Sequence, residues 1–158
     1  MRTILMVSVA ATSLMTTGAW AQTYDTKGTW YGTPQNEVMA LSDSLIAIRA
    51  LTAYDRFEPA MDGGPVTGTS GKCFGSIVID KGQPAGAGLC DLADGDGDAV
   101  VTEWSADGMT AEGRMTGSWR YVGGTGKFEG ITGSGTFNAG TGADGNYTNM
   151  IDGSYTIN

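Results

Sequence analysis

Glycine recurs between short apolar segments along most of this chain, and this pattern restricts the folds open to it. The sequence holds 26 glycines among 158 residues, and each glycine inside a helix costs about 1 kcal/mol relative to alanine. The density is highest in the C-terminal half, for example in residues 123–137. Within strands, glycine permits bulges and tight barrel corners. We therefore expect strands and turns rather than a helical protein.

Apolar segments of strand length follow one another along the chain, separated by turn signals. Without βαβ alternation, this spacing is typical of one antiparallel barrel or sandwich. Residues 45–51 fit a helix as well as a strand, with Asp43 and Ser44 as candidate caps, and we predict a strand. Residues 56–71 are predicted to be a long connection. The predicted strands are 27–32, 38–54, 74–79, 86–92, 99–105, 109–115, 117–122, 131–139 and 146–157.

The first residues have the features of a secretory signal peptide. Arg2 supplies an early positive charge, residues 4–15 are apolar, and Ala19-Trp20-Ala21 is a small-x-small cleavage signal. We predict a signal peptide over residues 1–21 and one β-barrel domain over residues 22–158. The apolar stretch is too short to span a bilayer, which takes about 20 apolar residues. We therefore expect an exported protein, periplasmic or secreted, with no membrane insertion.

The two cysteines are predicted to form a structural disulfide. Residues 74–79 and 86–92 read as the two strands of a hairpin, and residues 80–84 carry turn chemistry. Pairing that is symmetric about Lys81-Gly82 places Cys73 directly opposite Cys90. Export to an oxidising compartment would let the two sulfurs join, and closing a loop of this size stabilises the fold by about 3 kcal/mol.

Composition excludes several classes of function. The chain has no histidine, so it has no Ser/His/Asp or Cys/His triad and no histidine-ligated zinc or haem. Its formal net charge is −8 and its pI is about 4.2, and such a negative field repels nucleic acid. We predict no nucleic-acid partner, no cofactor and no metal site.

One aspartate-rich segment imitates a calcium loop. Residues 94–98 read Asp-Gly-Asp-Gly-Asp, but an EF-hand loop starting at Asp94 needs glycine and glutamate where Ala99 and Ser105 stand. We interpret the segment as the turn between two strands. A weak extracellular calcium site is the alternative; its candidate ligands are Asp91, Asp94, Asp96 and Asp98.

One glycine-rich segment imitates a nucleotide-binding loop. Residues 123–127 include Gly-Lys, but Tyr121 and Phe128 stand where a phosphate loop needs glycine and a hydroxyl. Glu129 replaces the third glycine of a dinucleotide fingerprint. We interpret this segment as a turn that enters a strand.

The same residues carry a resemblance to a known family. Residues 123–137, with Gly117-Ser118-Trp119 before them and residues 152–157 after them, resemble the allene oxide cyclase-like barrel proteins, which are close in architecture to dirigent proteins. The turn at residues 92–98, with Cys90 and Trp104, is similar to exported bacterial members. The resemblance covers roughly residues 69–158. It implies a single all-β, antiparallel, eight-stranded barrel of calycin-like architecture with a cavity, and association as a dimer or trimer.

In a barrel, alternate side chains along each strand face the lumen. The predicted ligand-binding residues are the aromatic side chains of Tyr54, Trp104, Trp119 and Tyr121. Arg49 lies in an apolar run, and burying it would require a carboxylate or backbone carbonyls as partners; the candidate carboxylate is Glu103. These two are the candidate catalytic residues. In the alternative interpretation, aromatic side chains fill the core while Arg49 and Glu103 lie on the outer surface.

Three classes of function fit this barrel. The first is a binding protein that holds a small apolar molecule in its lumen. The second is a cofactor-free cyclase or isomerase that folds a flexible lipophilic substrate into a reactive shape. The third is a structural envelope component whose barrel is filled by side chains. The lack of histidine lowers the rank of the second class, the cyclase or isomerase, and we favour binding.

Overall fold

The computed structural model describes residues 21–157 as an all-β protein with no α-helix in this range. The strands are β1 (Gln22–Asp25), β2 (Gly28–Pro34), β3 (Glu37–Ala40), β4 (Leu45–Pro59), β5 (Ser70–Asp80), β6 (Gln83–Ala93), β7 (Ala99–Met109), β8 (Met115–Gly124), β9 (Thr132–Thr141) and β10 (Tyr147–Ile157). Two short 3-10 helices cover Gly64–Gly68 and Gly126–Phe128. The predicted signal peptide lies outside the described residues, apart from Ala21. Across residues 21–157 the structure contains no helix that could span a membrane.

Eight of these strands close into an antiparallel barrel. Their order around the barrel is β2, β4, β5, β6, β7, β8, β9 and β10, and β10 pairs with β2 to complete the circle. The two short strands extend the wall, since β1 pairs with the end of β10 and β3 pairs with the beginning of β4. The predicted eight-stranded antiparallel barrel is confirmed.

The hairpin of β5 and β6 has the predicted register. Its turn places both Lys81 and Gly82 at positive φ, 52° and 81°, the conformation that suits the right-handed twist of two paired strands. Cys73 pairs with Cys90 in the register, and a disulfide joins them. The predicted disulfide is therefore confirmed.

The ambiguous apolar run is a strand, as predicted. It forms β4, which pairs with β5 on one side and with β2 and β3 on the other. The turn before it is held by Ser42, whose hydroxyl accepts hydrogen bonds from the backbone N–H groups of Ser44 and Leu45. Because β4 has a neighbour on both sides, its pairing outweighs the capping tendency of Asp43 and Ser44.

Three of the predicted segments need correction. The single strand predicted over residues 38–54 is wrong, because β3 ends at Ala40 and β4 begins at Leu45. The strand predicted over residues 109–115 is wrong, because β7 ends at Met109 and β8 begins at Met115. Backbone hydrogen bonds between Thr110 and Arg114 and from Gly113 to Thr110 close a turn there, and Gly113 has a φ of 78°. The connection predicted over residues 56–71 is also shorter, because β4 continues to Pro59 and β5 starts at Ser70.

Candidate functional site

The barrel encloses a cavity of about 360 Å³. Alternation along the strands turns one set of side chains inward, as β8 illustrates with its buried Gly117, Trp119 and Tyr121. These inward side chains leave the centre unfilled because many of them are glycine, alanine or threonine. The lumen is therefore a hollow of the size that holds one small ligand.

One end of the barrel is closed. Phe128, from the 3-10 helix that follows β8, and Val100 have no exposed surface, and Val66 from the other 3-10 helix is also buried. Tyr155 at the end of β10 donates a hydrogen bond to the carbonyl of Gly63 at 2.8 Å and accepts one from the N–H of Val66 at 3.3 Å. These contacts fasten the connection between β4 and β5 across the bottom of the lumen.

The opposite end carries the short turns and gives access to the cavity. Residues of the strand ends there, including Ile48, Ile79, Met109 and Met115, line the upper part of the cavity. At this end the wall is extended by β3, which pairs with β4 beyond the residues at which β2 pairs with β10. A ligand would therefore enter past apolar side chains.

Two tryptophans form part of the cavity wall, and each lies over a pair of glycines. Trp104 and Trp119 are cross-strand partners in β7 and β8. A Cβ built on Gly75 or Gly88, which pair in β5 and β6, would lie 2.5 Å from Cζ2 of Trp104. The second glycine pair, under Trp119, is Gly135 and Gly153. The missing side chains let both indole rings lie against the wall instead of filling the lumen.

A polar cluster lies on the wall formed by β10, β2 and β4. Tyr54 and Tyr147 have ring centroids 6.3 Å apart, and both line the cavity together with Asn149. Gly32 of β2 pairs with Tyr54, and a Cβ there would lie 2.8 Å from Cδ1 of that ring. Burial, followed by the presence of Tyr147, raises the pKa of Tyr54 well above its usual value. The Tyr54 hydroxyl is therefore a neutral hydrogen-bond donor across the physiological range.

Tyr121 supplies a second buried phenol, deeper in the lumen. Its ring lies 5.2 Å from Trp119 and 5.7 Å from Tyr155, both in edge-on geometry. Burial, with a further contribution from Tyr155, raises the pKa of Tyr121. This hydroxyl also stays protonated near neutral pH.

The disulfide also belongs to the cavity wall. Cys73 and Cys90 both line the lumen, so the bridge cross-links β5 and β6 from the inside of the barrel. Its position adds a polarisable, uncharged group to the lining.

The candidate catalytic residues lie on the outer surface, so their predicted pairing is wrong. The side chain of Arg49 is 71% exposed and pairs with Glu37 at 3.0 Å. Glu103 is 43% exposed and pairs with Arg120, its cross-strand neighbour in β8. Because strand alternation turns both away from the lumen, neither residue lines the cavity. The alternative interpretation, in which these charges lie outside, describes their placement.

The predicted ligand-binding residues are brought together. Tyr54, Trp104, Trp119 and Tyr121 all line the cavity. Sequence reasoning missed Trp30, Tyr147 and Asn149 among the other polar and aromatic lining residues. A signal for the last two was present, because Tyr147 and Asn149 alternate in phase with the buried Tyr155 along β10.

The aspartate-rich turn is paired with a lysine from the second 3-10 helix, Gly126–Phe128. The ammonium group of Lys127 lies 2.6 Å from Asp94 and 3.1 Å from Asp96, and the Lys127 backbone N–H donates to Asp98. No group of three His, Cys, Asp or Glu side chains within residues 21–157 is arranged to hold a metal ion. The contacts fix this turn against the 3-10 helix that closes the barrel.

These features define a closed antiparallel β-barrel with an apolar lumen of ligand size. Among solved structures, the chain is similar to the pterocarpan synthase dirigent protein GePTS1, with a TM-score of 0.51 and 15% sequence identity. The alignment covers 95% of this chain and 99% of that chain. No family model and no curated protein matches the sequence. The predicted likeness to dirigent proteins is thereby confirmed for the fold.

Proposed function

We propose that this protein binds a small apolar molecule inside its barrel. The observation that carries the proposal is the cavity of about 360 Å³, which is lined mainly by aromatic and aliphatic side chains. Sites for small molecules measure about 300–1,000 Å³ and combine such a lining with a few polar groups. Burying the ligand's apolar surface would contribute about 25 cal/mol per Å². A barrel filled by side chains, as the structural alternative requires, does not fit a hollow of this size.

The first test is recovery of a bound molecule. Native mass spectrometry of protein purified from its own host is expected to reveal a retained lipophile that organic extraction releases. A mass equal to that of the polypeptide alone, before and after extraction, would count against binding.

The second test blocks the lumen. Ala50 lines the cavity, whereas Ala87 lies on the outer face of β6. Ala50→Phe is expected to weaken the binding of a naphthalene-type fluorescent probe at least tenfold, because the added ring occupies ligand space. Ala87→Phe adds the same ring outside and is expected to leave the affinity unchanged. Equal affinities in the two variants would contradict binding in the lumen.

A cofactor-free cyclase or isomerase is the second candidate. The hydroxyls of Tyr54 and Tyr147 favour it, because neutral donors on an apolar wall polarise a carbonyl or ether oxygen. Its test is conversion of a flexible polyunsaturated substrate, with Ala50→Phe as the variant that must lose turnover. Binding ranks above it because none of the cavity-lining side chains within residues 21–157 is charged.

We also propose that the protein is exported, to the periplasm or the medium, and that cleavage follows Ala21. The disulfide supports this, since such bridges persist in oxidising compartments. The intact mass of protein from its own host is expected to correspond to a chain that begins at Gln22. Retention of residues 1–21 would contradict the proposal.

We further propose that the barrel associates as a dimer or trimer. Phe74, Val78 and Leu89 are each more than a third exposed on the outer face of β5 and β6, and Phe74 pairs directly with Leu89. Light scattering coupled to size-exclusion chromatography is expected to give a multiple of the monomer mass for the wild type and a monomer for Phe74→Lys. A monomeric wild type would refute it.

A further inference from the structure

The cavity lining contains aromatic, aliphatic and hydroxyl groups but no ion. Its polar side chains are threonine, tyrosine, tryptophan and asparagine, and no Asp, Glu, Lys or Arg of residues 21–157 is among the lining residues. Transferring an isolated carboxylate or ammonium group into such surroundings is costly unless an opposite charge accompanies it. The lining therefore discriminates by charge as well as by size.

Two phenols of the lining, Tyr54 and Tyr147, lie side by side with ring centroids 6.3 Å apart. Tyr54 has side-chain hydrogen-bond contacts with Tyr147 and Asn149 in this cluster, and the side-chain oxygen of Asn149 is buried without a hydrogen-bond partner. By contrast, the Tyr155 hydroxyl already bonds to Gly63 and Val66. Because two hydroxyls that share one hydrogen bond use only one of their two protons, the other proton is available to a ligand that presents an acceptor. The two hydroxyls thus mark one point on the wall where an oxygen atom would be held.

We propose that the lumen selects an uncharged apolar molecule that carries a carbonyl, ether or hydroxyl oxygen, and that Tyr54 and Tyr147 hold that oxygen. The inference rests on the proposed binding function and specifies the class of its ligand. Fatty acids and other carboxylates are disfavoured because the lining offers no cation and the chain as a whole is acidic. Amines are disfavoured because no carboxylate of residues 21–157 lines the cavity to pair with a buried ammonium group.

A matched set of four probes tests the class. Acetylnaphthalene, ethylnaphthalene, naphthoate and naphthyl-trimethylammonium share one ring system and differ in the charge and acceptor of one substituent. Isothermal titration calorimetry and quenching of tryptophan fluorescence would measure their dissociation constants. The ketone is expected to bind about five to ten times more tightly than the hydrocarbon, the value of one net hydrogen bond. Both ions are expected to bind at least about a hundred times more weakly than the ketone.

The tyrosine variants locate the anchor. Tyr54→Phe/Tyr147→Phe removes both hydroxyls and is expected to equalise the affinities for ketone and hydrocarbon. Tyr31→Phe is the matched control, because its hydroxyl lies outside the barrel and donates to Glu58. It should retain the preference for the ketone. Tyr121→Phe removes the other cavity phenol and is expected to retain that preference as well.

The outcomes separate this inference from the proposed function. If no probe binds, and Ala50→Phe behaves like the wild type, lumen binding itself fails. If naphthoate or the ammonium probe binds as tightly as the ketone, lumen binding stands and the neutral-ligand inference is overturned. If Tyr121→Phe rather than the double variant abolishes the preference, the assignment of the anchor is overturned.

Discussion

The close contact between Trp104 and the paired glycines of β5 and β6 predicts a large penalty for a single added methyl group. In Gly88→Ala the new Cβ would lie 2.5 Å from Cζ2 of Trp104 and still closer to the Phe74 carbonyl. Overpacking a tight interior lowers the free energy of unfolding by about 1–3 kcal/mol. Because Gly88→Ala creates two clashes at once, we expect a loss of about 2–3 kcal/mol. For a domain of this size, that loss lowers the Tm by about 6–12 °C.

Thermal and urea unfolding of matched variants would measure this cost. Gly123→Ala is the control, because a Cβ at Gly123 meets nothing within 4 Å, and its Tm should stay the same or rise slightly. Trp104→Phe shortens the ring that meets the new methyl group, so the double variant Gly88→Ala/Trp104→Phe should show a coupling energy of about 1 kcal/mol. Equal Tm values for Gly88→Ala and the wild type, or an equal loss in the control, would refute the role assigned to the glycines.

Three further predictions address the disulfide, the outer charges and alkaline stability. Reducing the Cys73–Cys90 bridge is expected to lower the free energy of unfolding by about 3 kcal/mol, and urea midpoints that match with and without reductant would contradict it. Arg49→Met and Glu103→Gln are expected to leave probe binding unchanged and to alter the free energy of unfolding by less than about 1 kcal/mol, because both ion pairs are exposed. A tenfold loss of binding in either variant would show that the substituted residue contributes to the ligand site. Burial raises the pKa of Tyr155 from 10 to about 12 in the folded protein. Its neutral phenol therefore contributes fully to the free energy of unfolding below pH 10, and this contribution is lost as the pH rises towards 12. The urea midpoint should fall over that interval, and less steeply in Tyr155→Phe, whereas identical profiles would argue against a buried neutral phenol.

The local parts of the fold could be predicted from the sequence. The hairpin of β5 and β6 depends on residues that are close along the chain, so the turn at Lys81 and Gly82 fixed the pairing of Cys73 with Cys90. The same holds for the run of alternating aromatic side chains that places Trp119 and Tyr121 on one face of β8. In both cases a period of two and one turn contain the necessary information.

The orientation of β4 could not be predicted in the same way. Both of its faces are apolar, with Ile46 and Ile48 on one and Ala47 and Leu51 on the other, so alternation alone did not show which face is inward. The closed barrel shows which face is inward, because Arg49 lies on the outer surface beside Glu37 of β3. A single charge in an apolar run has two explanations, an exposed ion pair or a buried one, and chain closure decides between them.

The polar cluster of the lumen depends on contacts between the two ends of the domain. Tyr147 meets Tyr54 only because β10 pairs with β2 and β2 pairs with β4. Gly32 leaves room for the ring of Tyr54, because a Cβ there would lie 2.8 Å from its Cδ1. Because these pairings join segments far apart in sequence, local patterns predicted which face of its strand each residue lies on but not which residues it contacts.

The most direct test of the hollow, ligand-binding barrel is a crystal structure of the protein soaked with a brominated acetylnaphthalene. Anomalous scattering from bromine would locate the probe independently of its affinity. We predict one bromine peak inside the barrel, with the ketone oxygen within hydrogen-bond distance of the Tyr54 or Tyr147 hydroxyl. A lumen packed solid with side chains, or bromine peaks confined to the outer surface, would contradict the account.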